Sequence, residues 1–534
     1  MATTRTPLED FLRPLSVDIP KIHSLAGSLY TTFTRLAAEA QDQFLSTPVS
    51  DSVLRPAGDA QGRYLAIDIG GTNLRVGFIE LLGPDASLSR DSDPFGNGQD
   101  GGKSRVRRLL EKSWPIGELL KKNNAEDLFA WIGKCVTEVV QDGCEAWPGE
   151  LPNPVPMGVT FSFPMIQHTL ADATVMLMGK GFSASSNFDL AQQLLTGYES
   201  SRPADLPGIK IVAICNDSSA TLVSFAYQQK SNPRKKAAMG LIVGTGCNAT
   251  IPLALSKLHP SKRPAQVKVL DDSEAVPDLK ITVNTEWTIK GAAAPLHDLQ
   301  FVTHWDKILD AEGEAPGFQP FEYMTAGRYL GELGRLIALD YFTNHLRIPE
   351  TSLPQKLRER HGLTTTFLGN LGPPLSQHQS SILEQLDTEL PPNPNPDSWK
   401  WTPEAADILF RIARAVQVRA AGMTAAAIIG LLACADEISF SPNPNPTATL
   451  TNGDAPSTAR LKTDVDELMV GYTGGCIVHF QDYLKDCQGF LDAIMRREFG
   501  DSLVPRVVLQ PCHDGGIIGA GILAGTVQSL GHNA

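Results

Sequence analysis

The chain has 534 residues, of which 42% are hydrophobic and 20% charged, and its formal net charge is −13 at pH 7. That composition excludes wholesale disorder, and the length exceeds what one core usually supports, so two domains or lobes are expected. The acidic balance argues against a nucleic-acid or anionic-membrane partner, either of which needs a basic face.

Eight cysteines in a chain of this length are too sparse for a disulfide scaffold, and none forms a CxxC pair or sits with histidine at ligand spacing. Cys215, Cys247 and Cys434 have apolar neighbours and read as small core residues. No uninterrupted apolar run long enough to span a membrane is present, and the first residues carry Glu9 and Asp10 where a signal segment would be basic and then apolar. No membrane span and a cytoplasmic location are therefore expected.

In chain order, Tyr64 to Ile69 is a β-rich run ending in Gly70-Gly71, and Leu74 to Leu82 resumes it, which predicts a hairpin. Ser87 to Gly102 reads as a loop. The one basic stretch, Lys103 to Lys122, contains Arg105, Arg107, Arg108 and Lys112 but is diluted by Glu111 and Glu118, and reads as a solvated face. Ala125 to Val140 carries Leu128, Ile132, Cys135, Val136 and Val139 at helical spacing. Ile209 to Cys215 predicts a buried strand, followed by a helix from Ser218 to Gln229. Met239 to Val243 is a further strand, ending in Gly244-Thr245-Gly246. Phe321 to Phe342 and Ala406 to Ala435 predict long helices, whereas Gln355 to Pro396 and Ser441 to Pro456 read as surface loops. Asp514-Gly515-Gly516 is a turn ahead of a helical stretch, Gly519 to Val527. No short-period repeat is visible. The mixture implies an α/β architecture with two lobes.

Several of these turns suit phosphate. In Asp68-Ile69-Gly70-Gly71-Thr72-Asn73-Leu74-Arg75 the glycines let backbone N–H groups approach phosphate oxygens, and Thr72, Asn73 and Arg75 add side-chain donors. Asp68 could hold magnesium through its water shell. The bland alternative is an Asp-initiated hairpin whose glycines serve geometry alone. No GxxxxGK[ST] loop and no GxGxxG follows the first strand, which disfavours the two commonest nucleotide folds.

Taken in order with the segments between them, these motifs resemble the hexokinase family of the actin-like ATPase superfold. The resemblance runs from about Leu8 to the carboxyl terminus. Its strongest stretch, Met157 to Phe182, is similar to the family's sugar-binding signature, and AICNDSSATLVS, GLIVGTGCNA, NTEW and FEYMTAGRYLGELGRL follow in the family's order. The family fold implied is a two-lobed, ribonuclease-H-like α/β structure with mixed sheets, helices and a cleft between the lobes. Residues 1–60 and 227–513 would form the large lobe, and 61–226 and 514–534 the small lobe.

The resemblance implies ATP as phosphoryl donor, Mg²⁺ as its cofactor and a small-molecule sugar as acceptor, and leaves monomer or dimer open. Asp217 matches the family's catalytic base, which a poorly nucleophilic sugar hydroxyl requires. Lys180 matches a sugar ligand that also offsets phosphoryl charge. Ser162, Phe163, Gly179, Asn216, Asn248, Glu286 and Glu322 complete the implied sugar set. Asp68, Gly70, Gly71, Thr72, Asn73, Arg75, Thr245, Gly474 and Gly515 form the implied nucleotide set.

Departures from the family pattern bear on substrate. Met178-Gly179-Lys180 stands where the family has Trp-Thr-Lys, and Thr288-Ile289-Lys290-Gly291 replaces its Gly-Ala-Phe-Gly. Losing a threonine beside the sugar makes room for a 2-acetamido group, so an N-acetylglucosamine kinase is the leading expectation. A glucose or broad hexose kinase and a weakly active sugar-sensing regulator are the alternatives. The regulator draws on changed phosphate turns, Gly471-Tyr472-Thr473-Gly474-Gly475 and Asp514-Gly515-Gly516-Ile517-Ile518-Gly519.

Overall fold

The computed structural model describes residues 6–50, 60–83, 105–122, 124–176, 187–228, 232–264, 267, 279–372, 379–393, 399–440, 465–500 and 505–532. In chain order its strands are β1 (Leu45–Ser50), β2 (Gln61–Ile69), β3 (Asn73–Leu82), β4 (Val106–Pro115), β5 (Val155–Phe161), β6 (Met165–Ile166) and β7 (Thr174–Val175). There follow β8 (Ile209–Cys215), β9 (Lys235–Val243), β10 (Cys247–Ala254), β11 (Lys280–Asn284), β12 (Glu467–Thr473) and β13 (Arg506–Pro511).

Two sheets organise the two lobes, and they repeat one topology. The smaller runs β4-β3-β2-β5-β8 and the larger runs β1-β11-β10-β9-β12-β13. In each, an antiparallel meander (β2-β3-β4 or β9-β10-β11) is extended by two parallel strands (β5, β8 or β12, β13). In each, a Gly-rich turn joins the first two strands: Gly70-Gly71 in one sheet, Gly244-Thr245-Gly246 in the other.

Strand alternation decides which way the small sheet faces. Leu65, Ile67 and Ile69 pack to one side with the helices Ala125–Ala146 and Leu190–Ser201. Tyr64 and Ala66 pack to the other side, against Ile517, Ile522 and Leu523 of the helix Gly515–His532. Each of those three side chains is worth about 1.5–3 kcal/mol of burial. Asp68 continues the second set, so period two alone delivers a carboxylate to the underside of that helix.

Two helices tie the sheets together. The helix Asp217–Gln228 leaves β8 of the small sheet yet packs on β9 and β10 of the large one. The helix Gly515–His532 leaves β13 of the large sheet yet packs on β2 and β5 of the small one. They cross in contact, and a Cβ on Gly519 would lie 2.1 Å from the Ala220 carbonyl oxygen. The amino ends of both helices, with Asp217 and Gly515, consequently meet between the sheets.

Sequence expectations needed three corrections here. The helix expected over Phe321 to Phe342 is broken: Pro320–Tyr323 ends, and Gly327–Asp340 begins anew. The break has a cause, because the Gly327 and Arg328 amides donate to Gly244 and Thr245 carbonyls at 2.8 and 3.1 Å instead of to the preceding turn. Gln355 to Pro396, read as a loop, contains the helices Gln355–Arg358, Thr365–Gly369 and Gln379–Glu389. The last helix starts at Gly515, a full turn before Gly519. Of the other expected loops, 87–102 and 441–456 lie outside the described residues. Among the described residues one helix, Pro403–Cys434, is long and apolar enough to cross a membrane, but 89% of its most apolar window is buried inside the protein.

Candidate active site

The end of β8 delivers Asn216 and Asp217 to the start of a helix. The Asn216 side-chain oxygen accepts from the Ser218 amide (2.9 Å) and hydroxyl (2.8 Å), which caps that helix. One oxygen of Asp217 accepts from the same Ser218 amide at 2.8 Å, which fixes the carboxylate at the helix entrance.

From Asn216 a connected set of polar side chains extends into the large sheet. The Asn248 amide donates to Asn284 (2.8 Å), Glu286 (3.2 Å) and, more weakly, Asn216 (3.5 Å), and the Asn284 amide donates to Glu286 at 2.9 Å. Glu322 joins through the Cys247 amide, which donates to its carboxylate at 3.1 Å. Glu286 and Glu322 are both buried. Glu286 also has a left-handed backbone (φ 45°), and its carbonyl accepts from the buried Gln43 amide at 2.8 Å. A non-glycine residue in that region marks strain held by its surroundings.

Asp217 also lines a cavity of about 310 Å³. Asp68, Gly70, Thr72, Asn73 and Arg75 from the β2–β3 hairpin line it, with Ser162, Thr473, Gly474, Gly515 and Gly516. Gly474 has φ 123° and sits so close to β9 that a Cβ would lie 2.3 Å from the Val243 carbonyl oxygen, so only glycine fits that turn. At Gly516 a Cβ would lie 2.6 Å from the Asp68 carboxylate, and the Gly516 carbonyl accepts from Thr160 of β5 at 2.9 Å.

Charge in this cavity is tightly arranged. Arg75 donates to Asp68 at 2.6 Å and to Asp514 at 2.6 Å. Burial raises the pKa of Asp68, with Asp217 and Asp514 adding to the rise and Arg75 opposing it. Burial works against the charge of Arg75, but Asp68 and Asp514 overcome it and hold its pKa above the ordinary value. Carboxylates beside glycine amides and an arginine suit a polyanion that arrives with its own cation. A second cavity of about 420 Å³ adjoins at Gly474-Gly475, lined by Thr245, Arg328, Thr365, Asn370, His479 and Phe480 among others.

The hexokinase family's two sequence profiles match residues 7–227 and 238–526. This chain belongs to the hexokinase family. As a hexokinase-type sugar kinase, it is 28% identical over 384 residues to the hexokinase of Kluyveromyces lactis, a match covering 72% of this chain and 68% of that one. It is 30% identical over 315 residues to a Schistosoma mansoni hexokinase, 59% of each chain. The solved structure of Schistosoma mansoni hexokinase complexed with glucose superposes with a TM-score of 0.72 at 24% identity, covering 97% of this chain and 98% of that one. The two-lobed actin-like architecture expected from the motifs is the one this hexokinase-family chain has.

The structure brings the residues expected at the site into two adjoining groups that share Asp217. Asn216, Asn248, Glu286 and Glu322 form one; Asp68, Gly70, Thr72, Asn73, Arg75, Ser162, Gly474 and Gly515 form the other. Thr245 lines the second cavity. Gly71 lies in the hairpin turn, and Phe163 is buried against Phe161 with ring centroids 5.0 Å apart. Gly179 and Lys180 lie outside the described residues. Arg75 is engaged by two carboxylates, an arrangement its reading as a simple phosphate donor did not include. Sequence reasoning missed Asn284, Gln43, Ser113 and the part played by Asp514. Asn284 could have been found, since it opens the NTEW motif two residues before Glu286. Gln43 lies 243 positions from its partner and left no local signal.

Proposed function

We propose that this protein transfers the γ-phosphoryl group of Mg-ATP to the 6-hydroxyl of a hexose-type sugar, with N-acetylglucosamine preferred. What carries the reading is the position of Asp217, at the junction of the Asn216–Asn248–Glu286–Glu322 group and the Gly-rich cavity. A sugar held by the first group would present a hydroxyl to Asp217, while a triphosphate in the cavity would present its terminal phosphorus from the other side. Asp217 takes the hydroxyl proton as the sugar oxygen bonds to phosphorus, and the bond to the β-phosphate oxygen breaks to release ADP. Asp68 and Asp217, which both line the cavity, are the residues that would face the magnesium ion of the nucleotide, whose charge offsets that of the phosphates. The cavity beside Thr245 and Phe480 would take the adenosine portion.

The preference for N-acetylglucosamine rests on the sequence alone: Gly179 stands where the family has a threonine, and the smaller residue would make room for a 2-acetamido group. Glucose is the second reading, favoured by the named hexokinases this chain resembles and by the glucose complex of the Schistosoma mansoni enzyme. The test of mechanism is Asp217→Ala, which should lower kcat by at least about 10²-fold while sugar binding survives. Near-normal turnover in that variant would remove Asp217 from the mechanism.

A further inference from the structure

Among the residues read from sequence as a solvated basic face, Arg108 is placed differently. Its guanidinium contacts the free oxygen of Asp514 at 2.7 Å, while Arg75 holds the other oxygen at 2.6 Å. Both partners are about one-third exposed, at 30% each. Asp514 immediately precedes Gly515 and Gly516, which line the Gly-rich cavity, and its backbone is left-handed at φ 54°.

A backbone irregularity delivers Arg108 there. Arg75 of β3 pairs with Ser113 of β4, and Ile79 pairs with Arg108. Four steps along β3 thus match five along β4, and the extra residue lies in a bulge where Leu110 has φ 52° and Glu111 crowds Gly77. Without it, Arg108 and Ser113 would point to opposite faces of the sheet, because side chains alternate. With it, both lie on the face of Arg75 and the last helix, and Ser113 lines the cavity itself. Bulges beside active sites re-aim side chains in this way.

We propose that Arg108 is a positioning residue for the nucleotide phosphates: by sharing Asp514 with Arg75 it keeps a third carboxylate from opposing the polyanion. The proposal rests on the reading of the cavity as a phosphate site. Among the described residues, Asp68, Asp217 and Asp514 put three negative charges in or beside the cavity, Glu111 lies 3.4 Å from Arg108, and removing Arg108 would leave Arg75 to face these carboxylates. With Arg108 in place, Asp514 is neutralised through the oxygen that Arg75 does not hold, next to Gly515 and Gly516, which line the cavity.

The experiment measures steady-state kinetics of the full chain for Arg108→Gln and Arg108→Lys, alone and with Asp514→Asn, with inorganic tripolyphosphate and adenosine as competitive inhibitors against ATP. Arg108→Gln should raise the KM for ATP and the Ki for tripolyphosphate about tenfold, as expected for one unit charge near a half-buried anion. The KM for sugar and the Ki for adenosine should stay within twofold, and Arg108→Lys, which keeps the charge, should fall between. In the Asp514→Asn background, Arg108→Gln should have little further effect. Unchanged ATP and tripolyphosphate constants in an active Arg108→Gln enzyme would overturn the proposal and leave the kinase reading standing. Equal losses for sugar and ATP would also overturn it, showing a merely structural contact. A wild-type chain that neither turns over nor binds Mg-ATP would overturn both.

Discussion

Gln43 offers the sharpest probe of how the sugar group is held. Its side-chain amide donates to the Glu286 carbonyl at 2.8 Å, and Glu286 sits at φ 45°, where a non-glycine residue is strained by about 1–3 kcal/mol. Gln43→Leu keeps the shape and removes the donor. The buried carbonyl then loses its partner at a cost of about 1–3 kcal/mol, and the strained backbone loses the contact that restrains it. If most of that cost appears as displacement of the Glu286 carboxylate, the sugar KM rises about tenfold, since each 1.4 kcal/mol is worth about a factor of ten. Gly291→Ala provides an independent route to the same end, because a Cβ there would lie 1.8 Å from the Gln43 side-chain oxygen and push the amide aside. Initial rates would be measured against sugar at saturating Mg-ATP, then against Mg-ATP at saturating sugar. Both variants should raise the sugar KM and leave the ATP KM within twofold. A sugar KM unchanged in both, or an ATP KM that rises in step, would refute this part for Gln43.

Restoring the family's threonine with Gly179→Thr should disfavour N-acetylglucosamine by overpacking worth about 1–3 kcal/mol. Glucose should be spared, so the ratio of kcat/KM values swings toward glucose by about tenfold or more, whereas equal losses for both sugars would show that Gly179 serves backbone geometry only. Lys262 gives a pH signature in stability. Burial lowers its pKa to about 8 from 10.5, with Asp42 opposing, and its ammonium donates to the Gln43 carbonyl at 3.0 Å. Below pH 8 the lysine is charged in both states and the cost of burying it is fully present. Between about 8 and 10.5 the unfolded chain binds more protons, so stability rises with pH in that window. Denaturant unfolding should show that rise in the wild type and a flatter profile in Lys262→Met; parallel profiles would contradict the assignment.

Local pattern made some of this legible and long-range packing hid the rest. Alternation in β2 placed Asp68, and the apolar run of Ile209–Cys215 placed Asp217 at a strand end, because both depend only on neighbours in sequence. The duplicated sheet topology left no repeat to read, since the same arrangement of strands tolerates unrelated residues. The helix over Phe321 to Phe342 was misread for a similar reason: its apolar spacing continues through the break, and only the backbone of Gly244-Thr245, far away in sequence, claims the Gly327 and Arg328 amides. Thr364, which caps Thr365–Gly369 by accepting from the Phe367 amide at 3.0 Å, was a readable helix start within a stretch read as a surface loop. Arg108 was hidden by the bulge at Leu110, which changes the face of every residue before it without leaving a glycine or proline to mark the place.

The most direct test of a sugar kinase in this cleft is a set of initial rates with Mg-ATP and N-acetylglucosamine, glucose, mannose or fructose. Sugar-dependent ADP release with the highest kcat/KM for N-acetylglucosamine is the predicted result. A clear preference for glucose would contradict the assignment of substrate, and no ADP release with any hexose would contradict the kinase itself.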